Sequence, residues 1–550
     1  MADAAVLGGV VRPGLETAGL ACSVVRGCLA QIVGRIAVQR GRQRHAHRQQ
    51  DDKQAGRYAK RASDRAKHRQ KRVPHPQAER SGELGGTGVA PTSQKEFFSG
   101  SGSETRTVCT PPCDILPAVL RPTARFAALI LLLLSGSAPP LHTTVDSAAS
   151  LRATLPSLQK NLDDVVVRFW YPKVIDRTHG GYRVAFDAAG APLPDGSKMI
   201  VTQARMLWLF ARLARAGHRV PEMRDAAAHG YQFLANRMWD REHGGYVWEV
   251  DESGARVADA SKVIYGQAFA LYALSEYHRA TGDSGALTRA TELFELIDLR
   301  AHDVTYGGYF ELFERDWSPP TAGKPSPIGG PAGAKLMNTH LHLLEAVAEY
   351  YRASRSAKAR ERLHELIAIQ GSAVVRKELT ACTDEYRRDW TPILEGSGAR
   401  VSYGHDIENI WLLADAVETV GQSNAPWLDL YRRLFEYSVR HGYDNAQGGF
   451  FYRGPFNENA REREKIWWVQ AEGLMSALTM FRLTGEPQYA RVFEGTLRWV
   501  STRQTDWIQG EWFAEVRPNG STAGVKGDRW KEGYHNGRAL IESIRLIGEL

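Results

Sequence analysis

His179-Gly-Gly-Tyr-Arg183, His243-Gly-Gly-Tyr-Val247, Tyr306-Gly-Gly-Tyr-Phe310 and Gln447-Gly-Gly-Phe-Phe451, with the weaker Gln509-Gly-Glu-Trp-Phe513, are one phrase written five times. Their first glycines stand at 180, 244, 307, 448 and 510, so the steps are 64, 63, 141 and 62 residues. The long step is double, and the missing copy falls near residue 380, where Leu379 to Trp390 holds a degenerate strand-like pair around Thr383-Asp384-Glu385. A glycine pair supplies the positive φ angles of a tight turn, and the aromatic run after it suits a short hairpin strand.

Between these phrases lie amphipathic stretches, Ala204 to Ala216, Gln267 to Ala280, Leu341 to Tyr351, Ile407 to Val417, Glu472 to Leu483 and Arg538 to Leu550, with apolar residues three and four apart. Six units of about 65 residues, each with room for two helices and one hairpin, predict an all-α fold. The architecture expected over residues 145–550 is an (α/α)6 barrel of about twelve helices with short β-hairpins between units. An open solenoid satisfies the same pattern, because a sequence does not show whether the sixth unit meets the first.

The 550 residues are 43% hydrophobic and 24% charged, which excludes wholesale disorder. The formal charge of +8 is unevenly placed: residues 1–144 hold 21 Lys and Arg against 10 Asp and Glu, leaving 70 − 21 = 49 against 62 − 10 = 52 for the rest. A nucleic-acid role argued from the basic balance would rest on the first quarter alone, and no nucleic-acid partner is expected. Residues 1–120 read as a disordered basic segment or a start assigned too early. Arg121 to Arg125, the apolar run Phe126 to Leu134 and Gly136-Ser-Ala138 read as a secretory signal peptide over 121–138, cleaved after Ala138. A periplasmic or secreted protein with no membrane attachment after cleavage is expected, and a cytoplasmic one if that segment does not act. Of five cysteines only Cys382 follows residue 145, so no disulfide forms within the body.

A second periodicity accompanies the first. Gln203-Ala-Arg205, Tyr265-Gly-Gln267, Asn338-Thr-His340-Leu-His342, Gly404-His405-Asp-Ile-Glu408, Trp467-Trp468-Val-Gln470-Ala-Glu472 and Tyr534-His535-Asn536-Gly-Arg538 place polar residues in helical first turns that a plain core helix would avoid. Taking Gln203, Tyr265, Asn338, His405, Trp468 and His535 as markers, the steps are 62, 73, 67, 63 and 67, in phase with the repeat. In a barrel such positions meet at one mouth. Asn338 and His342 share a helix face, as do His405 and Glu408. Glu408 is expected to orient His405, which prepares an imidazole for proton transfer. Arg205 offers a donor fork for a developing oxyanion. Trp467, Trp468 and Trp530 offer flat faces for sugar rings, and Tyr265 and Asn338 can bond hydroxyls. Each residue alone also fits plain packing; the recurrence of His342, His405 and His535 at one phase is what favours a site. No metal is expected, because His340-Leu-His342 points its rings apart on a helix and no acidic cluster stands beside it in the chain. No phosphate-binding loop, dinucleotide fingerprint or serine elbow is present.

The phrases Asn338 to Ala346, Ser402 to Glu408, Trp467 to Glu472 and Trp530 to Arg538 resemble the N-acylglucosamine 2-epimerase family, and within it the cellobiose 2-epimerase branch. The likeness runs over about residues 147–550, with Val469 where proline is usual and Asn409-Ile410 in place of small residues. It implies an (α/α)6 barrel, no cofactor, a monomer acting on a small carbohydrate, and interconversion of glucose and mannose configuration at C2 of a reducing-end sugar. By motif match, His405, His535, His342 and Glu408 take catalytic places, and Arg205, Tyr265, Asn338, Trp467, Trp468 and Trp530 take substrate-binding places. The implied chemistry opens the ring, removes the C2 proton to give a cis-enediolate and reprotonates the other face, with His405 and His535 as the two acid/base groups. An aldose–ketose isomerase of the mannose type and an N-acylglucosamine 2-epimerase are the near alternatives. A glycoside hydrolase and a glycan-binding barrel are the distant ones.

Overall fold

The computed structural model describes residues 141–194 and 196–550. The basic segment 1–120 and the signal-type segment 121–138 lie outside them.

Two helices open the described chain, α1 (Leu141–Ala153) and α2 (Leu155–Asn161). Then come α3 (Ile200–Arg215), α4 (Val220–Phe233), α5 (Ile264–Thr281), α6 (Ser284–Ala301), α7 (Met337–Ser354), α8 (Ala357–Ala368), α9 (Tyr403–Thr419), α10 (Leu428–Gly442), α11 (Trp467–Thr484), α12 (Pro487–Trp499) and α13 (Tyr534–Gly548). The six helices α3, α5, α7, α9, α11 and α13 form an inner ring. Each packs on the next, and α13 packs back on α3. Each also packs on the outer helix that follows it, and α13 takes α2 as its outer neighbour. The ring is therefore closed, which excludes the open solenoid.

Inner and outer helices differ as their surroundings demand. Every residue of α3 from Ile200 to Ala214 is buried, as expected of a helix enclosed on all sides. The outer α10 buries Tyr431, Leu434, Phe435, Tyr437 and Ser438 along one stripe and leaves charged residues outside. Gly282 and Gly485 end α5 and α11 in the left-handed conformation, with φ of 79° and 71°. The inner helices begin three to five residues before the apolar period does, because their first turns are polar.

The repeated phrase builds the mouth of the barrel, though not as the self-contained hairpins expected from sequence. Across each glycine pair runs a single bridge, such as Ile175 to Tyr182, Trp239 to Tyr246 or His302 to Tyr309. The longer pairing joins neighbouring units. The strand before α3 (Ser197–Met199) pairs with Glu249–Asp251 of the next unit, that before α7 (Lys335–Leu336) with Glu385–Tyr386, and that before α11 (Lys465–Ile466) with Glu515–Val516. Phe186 of the first unit bridges Gly527 of the sixth, closing this ring as well. Local hairpins form elsewhere, in the degenerate fourth copy (Val375–Arg376 on Ala381–Cys382) and beyond the glycine pair in the second and sixth units (Glu249–Asp251 on Val257–Asp259, Glu515–Val516 on Thr522–Ala523).

An aspartate four residues ahead of the first glycine locks each turn. Asp303 Oδ1 accepts from the backbone N–H of Thr305 and Tyr306 at 3.0 and 3.3 Å, while Lys335 Nζ reaches its Oδ2 at 3.0 Å. Arg388 of the following unit adds bonds of 2.8 and 2.9 Å to the same carboxylate. Asp176 with Lys198, Asp240 with Lys262, Asp444 with Lys465 and Asp506 with Lys526 repeat the pairing.

Candidate active site

The start of every inner helix faces the closed ring of loops, and there a cavity of about 360 Å³ opens. Its size is that of a small-ligand site, which spans about 300–1,000 Å³. All ten residues selected from the sequence line it: Arg205, Tyr265, Asn338, His342, His405, Glu408, Trp467, Trp468, Trp530 and His535. They come from all six inner helices and, for Trp530, from the loop before the sixth, so residues more than three hundred positions apart share one wall.

The polar first turns divide into two sets that the sequence did not separate. Gln203 accepts from the Tyr182 N–H and donates to its carbonyl, both at 2.8 Å. Gln267 does the same for Tyr246, Gln470 for Phe450, and His340 accepts from the Tyr309 N–H at 2.8 Å. These side chains hold the glycine-pair loops and do not line the cavity. The second set, one or two residues away on the helix, does.

Each of the three cavity histidines has its Nδ1 against a carboxylate. His405 lies 3.0 Å from Asp384 Oδ1, His342 lies 3.1 Å from Glu345 Oε2, and His535 lies 2.7 Å from Glu472 Oε1. Nδ1 is thereby committed to donation and Nε2 becomes the basic nitrogen. Two expectations are corrected here. The carboxylate that orients His405 is Asp384, from the degenerate fourth hairpin, because Glu408 is instead engaged by Arg538 Nη2 at 2.9 Å. An acidic group does stand beside His342, namely Glu345, one helical turn on.

The rings of His405 and His535 both pack on Trp468, with centroids 5.1 and 5.8 Å from it. Burial drives the His342 imidazole down to about 4. Burial, with Arg205 and Arg538 nearby, holds His535 well below the usual histidine range. Both rings are thus free bases at neutral pH. Burial, and then the charge of Glu472, pushes the Glu408 carboxyl well above its ordinary value, so it is an acid there. Burial alone would raise Asp384, but His405 beside it holds it down as an anion.

Arg205 is buried, its Nη1 3.3 Å from Glu532 and its Nη2 donating to Tyr265 Oη at 3.0 Å. Its guanidinium lies 4.1 Å from the Phe269 ring centroid. Asn338 Oδ1 is buried without a hydrogen-bond partner, an orphan acceptor that a ligand hydroxyl would satisfy. Trp467 and Trp468 are half-buried and Trp530 is exposed, which leaves ring faces at the rim. Among the described residues, Glu408, Glu472 and His535 bring ligand-type atoms within 4.8 Å of one another. Arg538 Nη2 sits against both carboxylates, at 2.9 and 2.8 Å, and supplies positive charge there.

Sequence reasoning passed over Asp384, Glu345, Glu472, Arg538, Tyr452 and Arg453. Asp384 lines the cavity from a loop outside the helical phase, and Glu345, Glu472 and Arg538 carry no signal in the cavity-facing pattern because they act through the residues that do face it. Glu345 and Glu472 were nonetheless findable: each stands three or four residues from a cavity residue on a shared helix face, His342 and Trp468 respectively.

The model of the family described as N-acylglucosamine 2-epimerase matches residues 180–539. A cellobiose 2-epimerase from Bacteroides fragilis is 30% identical over 395 residues, 71% of this chain and 98% of that protein. The human N-acylglucosamine 2-epimerase is 26% identical over 407 residues, 70% of this chain and 88% of that one. The solved structure of cellobiose 2-epimerase from Spirochaeta thermophila superposes with a TM-score of 0.67 at 34% identity, covering 73% of this chain and 98% of that one. With the closed barrel, the cavity and its carboxylate-held imidazoles, this match establishes that the chain belongs to the N-acylglucosamine 2-epimerase family.

Proposed function

We propose that the protein is a carbohydrate isomerase that epimerises C2 of the reducing-end residue of a β-1,4-linked disaccharide such as cellobiose. The observation that carries this reading is the placement of His405 and His535 against the same tryptophan, Trp468, in a single cavity, each with Nδ1 on a carboxylate. Inverting a carbon beside an aldehyde needs one group to take a proton and another to return one from the opposite side. Two imidazoles with Nδ1 held by carboxylates, one open at Nε2 to take the proton and the other carrying at Nε2 the proton it returns, meet the requirement.

In this scheme the sugar ring opens, with His342 at O1. One histidine takes the C2 proton on Nε2, leaving the electron pair in a cis-enediolate whose oxygen faces Arg205. Rotation about C2–C3 presents the other face, and the second histidine delivers its Nε2 proton to C2. The net change is inversion at C2, with no oxidant or reductant. Trp467, Trp468 and Trp530 would stack the sugar rings, and Asn338 and Tyr265 would bond hydroxyls. The relatives named as cellobiose 2-epimerases support the substrate class.

Incubation with cellobiose in deuterated water tests the reading. The expected product carries mannose configuration and deuterium at C2 alone. A ketose as the main early product would overturn it in favour of an aldose–ketose isomerase, and released glucose would favour a hydrolase. The same reading includes export, and N-terminal sequencing of the natural protein should find cleavage after Ala138.

A further inference from the structure

We propose that Arg538 is a positioning residue whose single guanidinium ties the His342–Glu345 pair to the His535–Glu472 pair, so that the two imidazoles are aligned and poised together. The proposal rests on the epimerase reading above and goes beyond it, since Arg538 does not line the sugar cavity. It is 1% exposed and stands one helical turn after Tyr534 on α13. Its Nη2 donates to Glu472 Oε1 at 2.8 Å, and that same oxygen holds His535 Nδ1. Its Nη1 donates to Glu345 Oε1 and to Tyr534 Oη, and the other oxygen of Glu345 holds His342. Nη2 also binds Glu408. Nε has no partner, so the fork is aimed through its two terminal nitrogens, by the carboxylates and Tyr534.

A plain structural ion pair would need one carboxylate. Here three converge on one cation, and two of them are the anchors of cavity histidines. Shifting the fork moves both anchors at once. Its charge also matters. Arg538 weakens Glu345 and Glu472 as bases, which keeps the Nδ1 proton on each ring, and it disfavours a second cation nearby. The titratable groups that face His535 are Glu472, Glu408, Glu345, His342, Arg205, Arg538 and Tyr534; those that face His342 are Glu345, His535, Arg205, Arg538 and Tyr265. Glu532 balances Arg205, so Arg538 is the cation shared by the two anchoring carboxylates. Removing it lets both imidazoles take up a proton at higher pH.

A second cavity, of about 480 Å³, opens at the opposite end of the barrel and is lined by Arg538 together with Glu345, Trp411 and Arg212. It offers a small cation a path to this position that avoids the sugar site.

The test compares the full chain with Arg538→Lys and Arg538→Ala. In both, kcat on cellobiose should fall, by about a hundredfold in the alanine variant, with KM within a few-fold of the original. The acid limb of kcat against pH should move to higher pH. Guanidinium chloride at non-denaturing concentration should restore part of kcat to Arg538→Ala, and sodium chloride at equal strength should not. A wild-type kcat and an unmoved acid limb in folded Arg538→Lys would overturn the proposal, as would a folded Arg538→Ala that guanidinium does not rescue. If the alanine variant does not fold, the lysine variant decides alone. Nitrogen-15 shifts of the His342 and His535 rings read tautomer and protonation without turnover. They should change in Arg538→Lys whatever the substrate proves to be, and unchanged shifts would equally overturn the proposal. A failure of the epimerase reading is thereby told apart from a failure of this one.

Discussion

Asp384 Oδ1 lies 3.0 Å from His405 Nδ1, although the two residues belong to different pieces of structure. Asp384 sits in the turn between Ala381–Cys382 and Glu385–Tyr386, and His405 in the first turn of α9. The unit that lost both glycines of the phrase is thus the one whose loop supplies Asp384 to the site. Asp384→Asn keeps an acceptor but loses the charge that stabilises an imidazolium, and it can present its amide to the ring in the wrong sense. A kcat loss of roughly a hundredfold or more is expected with little change in melting temperature. Steady-state kinetics and a thermal melt check this; wild-type turnover would remove Asp384 from the site.

His405→Ala and His535→Ala should each lower epimerisation by about a hundredfold to ten-thousandfold, the range for losing a positioned acid or base. Both variants should keep the far-UV circular dichroism of the parent. Exchange of solvent deuterium into C2 is the sharper readout. A variant that has lost only the proton-returning group still exchanges from one epimer, so the two substitutions should differ in which epimer exchanges. Equal, near-normal exchange in either would sink the assignment.

Asp303→Asn should destabilise the fold without touching the cavity. Its carboxylate is buried and receives Lys335, Arg388 and two backbone N–H groups. Removing one partner of such a buried cluster leaves cations uncompensated and costs about 3–5 kcal/mol. Urea unfolding would measure it, and a loss below about 1 kcal/mol would show that the cluster does not staple the units.

Stability should also fall as pH rises through the window of Asp406. Burial pushes this carboxyl up to about 8 from an ordinary 3.8, and its Oδ2 has no partner. A group with a raised folded-state pKa binds more protons when folded, so its contribution is present below about pH 4 and is lost progressively toward pH 8. Asp406→Asn still accepts from the Cys382 N–H, now 3.0 Å away, and carries no charge. Its unfolding free energy should lack that slope, making it more stable than the parent at pH 8 to 9. Parallel curves for the two proteins would refute this.

The glycine-pair phrase and the phase of the polar first turns were enough to read the barrel and the lining of its cavity, because both are written at a fixed interval. What stayed hidden has physical reasons. Closure depends on contacts between the two ends of the described chain, such as Trp170 Nε1 donating to Glu511 at 2.6 Å, and no periodicity encodes the meeting of ends. Gln203 and Arg205 look alike as polar residues in a core helix, yet one bonds a loop backbone and the other lines the cavity; two residues of helical rotation decide which. Asp384 lies in a degraded repeat, and its role follows from the loop geometry alone. The assignment of Glu408 to His405 followed a sound i, i+3 spacing, and lost to Arg538, which arrives from another helix with a full charge.

A ring of staves has no last stave. An open array of helical pairs frays from its final repeat, and can gain or shed copies at modest cost. Here the strand-to-strand joints run all the way round through Phe186 and Gly527, so loosening any one unit breaks two joints. Adding or removing a copy opens the hoop, whereas a change in loop length at the mouth alters the shape offered to a ligand and leaves the hoop intact.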